Sequence, residues 1–184
     1  MPTAETRLMS IAEMAMDYTT MARVFQKGSK DLISKKLYQD LIDLNTWASE
    51  STYKINHREF CKWFISSVRR ARTGGRPSWG HAAKVMDISM KVFIYYCSLP
   101  SGAKAAHILP WLNGAVDGPI IQKLSTDFTG KYSTLRSVTL NNMSMKKYNL
   151  LQLLIRERAA KEGLLPVEWE EITWRDLNRR SVNK

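Results

Sequence analysis

The spacing of apolar residues along this chain follows the period of an amphipathic α-helix. Apolar side chains recur at intervals of three and four residues, which places them on one face of each helix. Alternating apolar and polar residues, which indicate a half-buried strand, are weak and limited to the stretch 132–140. The pattern predicts helices over residues 3–25, 31–47, 57–72, 79–97, 119–124, 145–162 and 174–180.

We therefore expect an all-α fold of about six to eight helices, in a single irregular helical domain over residues 1–184. Residues 1–50 would form an N-terminal helical pair, and residues 51–97 a basic helix followed by a helix with a polar seam. Residues 98–184 would hold a loop-rich region and the C-terminal helices. Pro, Gly and Ser residues make the connecting region near 98–140 the least regular part of the chain.

Residues that favour helix caps mark three of the predicted helix starts. Asn56 and Glu59 have the spacing of a capping box, in which each side chain bonds the other's backbone. Asp117 stands before Gly-Pro, and Ser144 stands before a long apolar-periodic run. We expect Asn56, Asp117 and Ser144 to be N-caps.

The composition is that of a globular protein in a reducing compartment. Of 184 residues, 44% are apolar and 24% are charged, which suits a chain that builds its own core. Cys61 and Cys97 are the only cysteines and stand among aromatic residues, so we expect two reduced thiols, and we expect no metal and no cofactor. The N-terminus lacks the pattern of a signal peptide, and no apolar run reaches the ~20 residues of a membrane span. These features predict a cytoplasmic protein without a membrane partner.

Positive charge is concentrated in one part of the chain. The formal net charge is +11, and residues 51–92 alone carry nine Lys or Arg against two acidic residues. Such a local excess favours an anionic partner. The glycines at 74 and 75 would let a phosphate backbone approach closely. We expect nucleic acid or another polyanion to bind Arg58, Lys62, Arg69, Arg70, Arg72 and Arg76; the alternative is a solvated face.

A polar seam runs along the otherwise apolar helix 79–97. Gly80, Lys84, Asp87 and Lys91 are spaced four, three and four residues apart, so they lie on one stripe of the helix. The seam is either a stripe in solvent, where Asp87 pairs with the lysines, or the wall of a pocket that holds an anion. Charges that lie in a core need partners, so a buried seam would require them.

Two other classes of function stay open from the sequence. The chain would be a nuclease or another phosphate-handling enzyme if His81, Lys84 and Asp87 shared a site. Arg76 and His81 have the Arg-x4-His spacing of HEPN ribonucleases, although Pro77 and Gly80 interrupt the helix that this spacing requires. The third class is a partner-binding or structural protein of a mobile element, acting with a protein partner or as a homo-oligomer.

The helix that carries the seam resembles a helix of an uncharacterised group of bacterial helical proteins. The shared features are the Gly80-x-Ala-x-Lys84 start and Lys91, while Asp87 stands where that group has Asn. The segments HILPWLNGAVDGPIIQKL and PVEWEEITW are similar to the group's His/Pro–Ile–Asp turn and Glu-Trp-Glu terminus, so the resemblance spans residues 78–174. The group has no established activity, so the resemblance implies no reaction. It implies a composite polar site of Lys84, Asp87, Lys91, His107 and Asp117.

Overall fold

The computed structural model describes residues 3–128 and 132–182, and these residues form eight α-helices and no strand. The all-α prediction is confirmed, and the helix number lies within the predicted range. The helices are α1 (Ala4–Tyr18), α2 (Ser29–Asp43), α3 (Glu50–Ser67), α4 (Trp79–Met90), α5 (Gly102–Ile108), α6 (Gly118–Asp127), α7 (Met145–Lys161) and α8 (Pro166–Val182).

The first helix is shorter than its apolar pattern predicts. It ends at Tyr18 instead of Phe25, and Ala22–Val24 form a separate 3₁₀ turn. The hydroxyl of Thr19 donates to the carbonyl oxygen of Met16 and accepts from the N–H of Met21. A side chain that bonds the backbone in this way competes with helical hydrogen bonds. The apolar period therefore continues past the point where the helix stops.

The capping box at Asn56 was a wrong prediction. Helix α3 begins at Glu50, and its N-cap is Ser49, whose hydroxyl accepts from the N–H of Thr52. Asn56 lies inside the helix and donates its side-chain amide to the carbonyl oxygen of Thr52. The polar stretch 48–53, which lies outside the predicted helices, therefore supplies the first turn of α3 because Ser49 caps it.

Helix α4 continues as a π-helix over Lys91–Tyr96, where the N–H of Cys97 reaches back five residues to the carbonyl oxygen of Val92 (3.0 Å). The predicted helix 79–97 is thus present but wider at its end. π-Helical turns are rare and occur frequently at functional sites. The wide turn begins at Lys91, the last residue of the seam.

The C-terminal half confirms two predicted caps and extends one helix. The carboxylate of Asp117 accepts from the N–H of Ile120, and the hydroxyl of Ser144 accepts from the N–H of Lys147. Helix α8 begins at Pro166, eight residues before the predicted start at 174. Glu168 accepts from the N–H of Leu165 and so satisfies a donor at the start of that helix.

The chain packs as two compact units. Unit 1 comprises the described parts of residues 1–77 and 82–112, and unit 2 those of residues 78–81 and 113–184. In unit 1, α1 packs on α2. The largest fully buried side chains of unit 1 are Trp47, Tyr53, Phe60, Phe64 and Phe93.

Unit 2 is built on the pairing of α7 with α8. Its core includes Trp169 of α8 together with Leu151, Leu154 and Ile155 of α7. Among the described residues of the chain, no helix has both the length and the apolar character to cross a membrane.

Close packing at Gly114 gives a test of unit 2. A Cβ added there would lie 2.9 Å from Cβ of Glu170 and 3.1 Å from the carbonyl oxygen of Pro166. We expect Gly114→Ala to lower the free energy of unfolding by about 1–3 kcal/mol, because backbone cannot yield cheaply. Denaturant unfolding measures the loss. Gly102→Ala is the matched control, since nothing lies within 4 Å of its added Cβ; an equal loss in the control would contradict the packing explanation.

Candidate functional site

The arginine-rich segment after α3 forms a closed turn. The N–H of Arg70 donates to the carbonyl oxygen of Gly75, and the N–H of Gly74 donates to that of Arg70, both at 2.9 Å. Gly74 has a φ of 65°, a left-handed conformation that suits glycine. The turn is thus shaped by its own main chain, and the side chains of Arg72 and Arg76 are left exposed.

The turn is also fixed to the segment between α1 and α2. The N–H of Ala71 donates to the carbonyl oxygen of Val24 (2.9 Å), and the N–H of Gln26 donates to that of Arg69 (3.0 Å). These bonds flank an antiparallel bridge between Phe25 and Arg70. Phe25 is buried, and its ring meets the ring of Phe64 of α3 edge-on at 5.2 Å. An exposed loop is therefore anchored to the core of unit 1.

All six residues predicted to bind a polyanion belong to unit 1. Two of them are half-buried and have structural contacts: Arg69 donates from Nη1 to the carbonyl oxygens of Ser66 and Val68, each at 2.8 Å, and Arg70 forms the bridge. Arg69 thereby satisfies carbonyls at the end of α3. The four exposed residues are Arg58, Lys62, Arg72 and Arg76, of which Lys62 also pairs with Glu59 at 2.8 Å.

The polar seam lies in the protein interior. Asp87 is 1% exposed, Lys91 is 4% exposed, Gly80 is buried and Lys84 is half-buried. The stripe in solvent is therefore not what the structure shows. Burial of charged groups requires partners, because each loses its hydration.

A histidine that the sequence analysis did not select is a partner of the seam. Nε2 of His57 lies 2.9 Å from Oδ1 of Asp87, and Nδ1 of His57 lies 3.9 Å from Sγ of Cys61. His57 and Cys61 are one turn apart on α3, on the buried face that also carries Tyr53 and Phe60. The position of His57 within the apolar stripe of α3 was the signal in the sequence, because a buried histidine needs polar contacts.

The contacts of His57 change its protonation. Burial by itself lowers the pKa of His57, but its electrostatic interactions and hydrogen bonds with Cys61 and Asp87 outweigh burial and raise the pKa from 6.5 to about 10. His57 is therefore an imidazolium at neutral pH and forms a buried ion pair with the carboxylate of Asp87. This pair connects α3 to α4 inside unit 1.

Cys61, His57 and Asp87 stand in the order thiol, imidazole and carboxylate, which is also the order of groups in nucleophilic sites. Catalysis by such a set requires that the thiol meet a substrate. All three side chains are buried, with Cys61 at 0% and His57 at 5% exposure. The three groups therefore form a buried polar cluster, in which His57 of α3 contacts Asp87 of α4.

The other predicted site residues have separate local roles. His81 belongs to unit 2, where its Nδ1 accepts from the N–H of Ser78 (3.2 Å) and lies 2.8 Å from its hydroxyl. Lys84 and Asp87, the other two residues of the proposed catalytic set, belong to unit 1. His81 thus closes the start of α4 with Ser78.

Of the residues predicted for the composite polar site, Lys84, Asp87, Lys91 and His107 belong to unit 1 and Asp117 belongs to unit 2. His107 is exposed, and the centroid of its ring lies 4.7 Å from that of the Trp111 ring. Asp117 belongs to unit 2, where it caps α6 and accepts from the indole N–H of Trp174 at 3.1 Å. In the part of the chain that the structure describes, no group of three His, Cys, Asp or Glu side chains is arranged to hold a metal ion.

Removing the carboxylate of the buried pair should destabilise the protein strongly. Asp87→Ala leaves the imidazolium of His57 without this partner in the interior, so we expect the free energy of unfolding to fall by about 3 kcal/mol. The exposed Asp43→Ala is the control and should lose less than about 1 kcal/mol. Denaturant unfolding compares the two, and a loss within about 0.5 kcal/mol of zero for Asp87→Ala would contradict the ion pair.

The same pair predicts how stability depends on pH. The pKa of His57 is higher in the folded protein, about 10, than its ordinary value of 6.5. The contribution of the His57–Asp87 pair to the free energy of unfolding is therefore complete below about pH 6.5 and is lost as the pH rises through about 10. When the free energy of unfolding is measured against pH, His57→Gln should remove part of the loss of stability between these pH values. His107→Gln, at an exposed histidine, should show the same loss as wild type. Identical slopes in both variants would refute the assignment.

Comparison with protein-family models, curated proteins and solved structures found no significant match. Of the two polar constellations in unit 1, the cluster around His57 is buried, whereas Arg58, Lys62, Arg72 and Arg76 are exposed to solvent.

Proposed function

We propose that this chain binds nucleic acid through a basic surface formed by Arg58, Lys62, Arg69, Arg70, Arg72 and Arg76. The observation that supports it is the anchored turn, which presents Arg72 and Arg76 to solvent on a main chain fixed by hydrogen bonds. A fixed backbone reduces the entropy that a loop loses when it binds.

The chemistry of the exposed groups fits phosphates. Arginine presents a planar fork of N–H donors that matches phosphate oxygens, and its charge persists at every physiological pH. Contacts to phosphates do not distinguish one base from another, so this binding depends on charge and shape. We place this binding in the cytoplasm, as the two free cysteines favour.

The buried ion pair stabilises the helix that carries part of this surface. Helix α3 carries Arg58 and Lys62 on its exposed side and His57 on its buried side. The contact of His57 with Asp87 therefore holds the helix on which part of the basic surface stands. In this proposal the cluster has a structural role and the arginines have the binding role.

Binding of DNA and RNA to a double variant tests the proposal. Arg72→Ala/Arg76→Ala changes two exposed residues and spares Arg69 and Arg70, which have structural contacts. We expect wild type to bind at about 50 mM salt and to weaken steeply by about 200 mM. For duplex DNA, the double variant should reduce the slope of log affinity against log salt by roughly 1.8, because two phosphate contacts are lost.

The matched control is Arg7→Ala/Arg179→Ala, which removes the same charge from two exposed arginines elsewhere on the chain. Its slope should stay close to that of wild type. Absence of binding by wild type at low salt, or equal losses in the two double variants, would overturn the proposal. Circular dichroism melts of all three proteins verify that each is folded.

A further inference from the structure

The turn that carries Arg72 faces a second basic segment, which the charge distribution of the sequence does not reveal. Arg23 and Lys27 lie between α1 and α2. They belong to the first 50 residues of the chain, which contain slightly more acidic than basic residues. Both side chains are exposed. The hydrogen bonds of Val24 and Gln26 to the turn bring this segment beside it.

The register of the bridge shows which residues lie opposite each other. Phe25 is opposite Arg70, Val24 is bonded to Ala71, and Gln26 is bonded to Arg69. Arg23 precedes Val24 and Arg72 follows Ala71, so each arginine lies one residue from the hydrogen bond that joins the two segments.

Arg23 and Arg72 therefore add two positive charges to the same edge of the protein, and like charges that lie close together repel. An anion between them reverses the sign of that interaction. Arginine pairs suit phosphate, because each guanidinium can donate two parallel hydrogen bonds. Two arginines next to the same hydrogen bond therefore suit a phosphate as the group bound at this edge.

The aromatic residues around this surface identify the form of nucleic acid. Single strands are commonly held by bases that stack on exposed aromatic rings. Across the described segments 22–28 and 54–76, Phe25, Phe60 and Phe64 are buried. Trp63 is half-buried, with ring contacts to Phe60 and Phe64 at 5.6 and 6.4 Å. Three of these four rings are thus buried, whereas Arg58, Lys62, Arg72 and Arg76 are exposed, and exposed cations suit the phosphate backbone of a duplex.

We propose that the partner is double-stranded nucleic acid, and that Arg23 binds its phosphates together with Arg72 as a second edge of the basic surface. This inference rests on the proposed function and adds both the substrate class and a residue outside the arginine-rich segment. Because the contacts are to phosphates, binding should be insensitive to base sequence.

Fluorescence anisotropy tests the inference with two duplexes of unrelated sequence and with the separated strands of each. We expect wild type to bind both duplexes alike and more tightly than any single strand. Arg23→Ala should reduce the slope of log affinity against log salt by about 0.9 on both DNA duplexes, so that the fall in affinity between about 50 and about 200 mM salt is about threefold smaller. Arg7→Ala is the matched control, an exposed arginine of α1 with the same charge change.

The outcomes separate this inference from the proposed function. If Arg23→Ala and Arg7→Ala behave alike while Arg72→Ala/Arg76→Ala still weakens binding, the second edge is overturned and the proposed function stands. Tighter binding to single strands than to duplexes overturns the substrate class alone. If wild type binds neither form at low salt, both proposals fail.

Discussion

The ion pair between His57 and Asp87 is the constraint on which the arrangement of unit 1 depends. It joins α3 to α4 through a contact of 2.9 Å between side chains that are almost wholly buried. Two charges in an interior lose their hydration, and only close mutual contact with further polar partners compensates for it. A sequence that places these groups in its core therefore commits both helices to one relative position. Apolar packing alone would tolerate a shift of one helix along the other more easily.

The consequences of that constraint reach the surface through α3. The helix is two-sided: its inner face carries His57, Phe60 and Phe64, and its outer face carries Arg58 and Lys62. At its end, Arg69 satisfies the last carbonyl groups, and the chain turns into the bridge with Phe25. A core contact, a helix end and an exposed turn are thus successive parts of one chain segment. The position of the arginines follows from what is buried behind them.

The sequence predicted the fold class because most helices have a clear apolar period and local caps. Asp117 and Ser144 could be assigned as caps since their contacts are with residues three positions away. The predicted helix ends were wrong at two kinds of position. At Thr19 a local side-chain hydrogen bond ends the helix although the apolar period continues, and at Ser49 the N-cap is a serine within a polar stretch. These errors concern boundaries, which depend on single hydrogen bonds and not on the pattern.

The candidate site was predictable in part. The charge excess at residues 51–92 indicated the exposed arginines, because charge density can be read without a fold. The partnership of His57 with Asp87 spans thirty residues, and that of Val24 with Ala71 spans 47. Such pairs are set by tertiary packing, so neither periodicity nor spacing could show them. For the same reason, the sequence could not show that Arg23 lies beside the turn, which follows from the bridge between Phe25 and Arg70.

The turn at residues 69–75 keeps its shape through main-chain hydrogen bonds, with Gly74 supplying the left-handed residue. Its conformation is therefore largely independent of which side chains stand at positions 72 and 76. Substitutions there can alter charge, reach or hydrogen-bonding capacity while the scaffold remains intact. In evolutionary terms, this separates the part of the protein that must be kept from the part that is free to diverge. A turn of this kind could acquire a different ligand by a few exchanges, without a new fold.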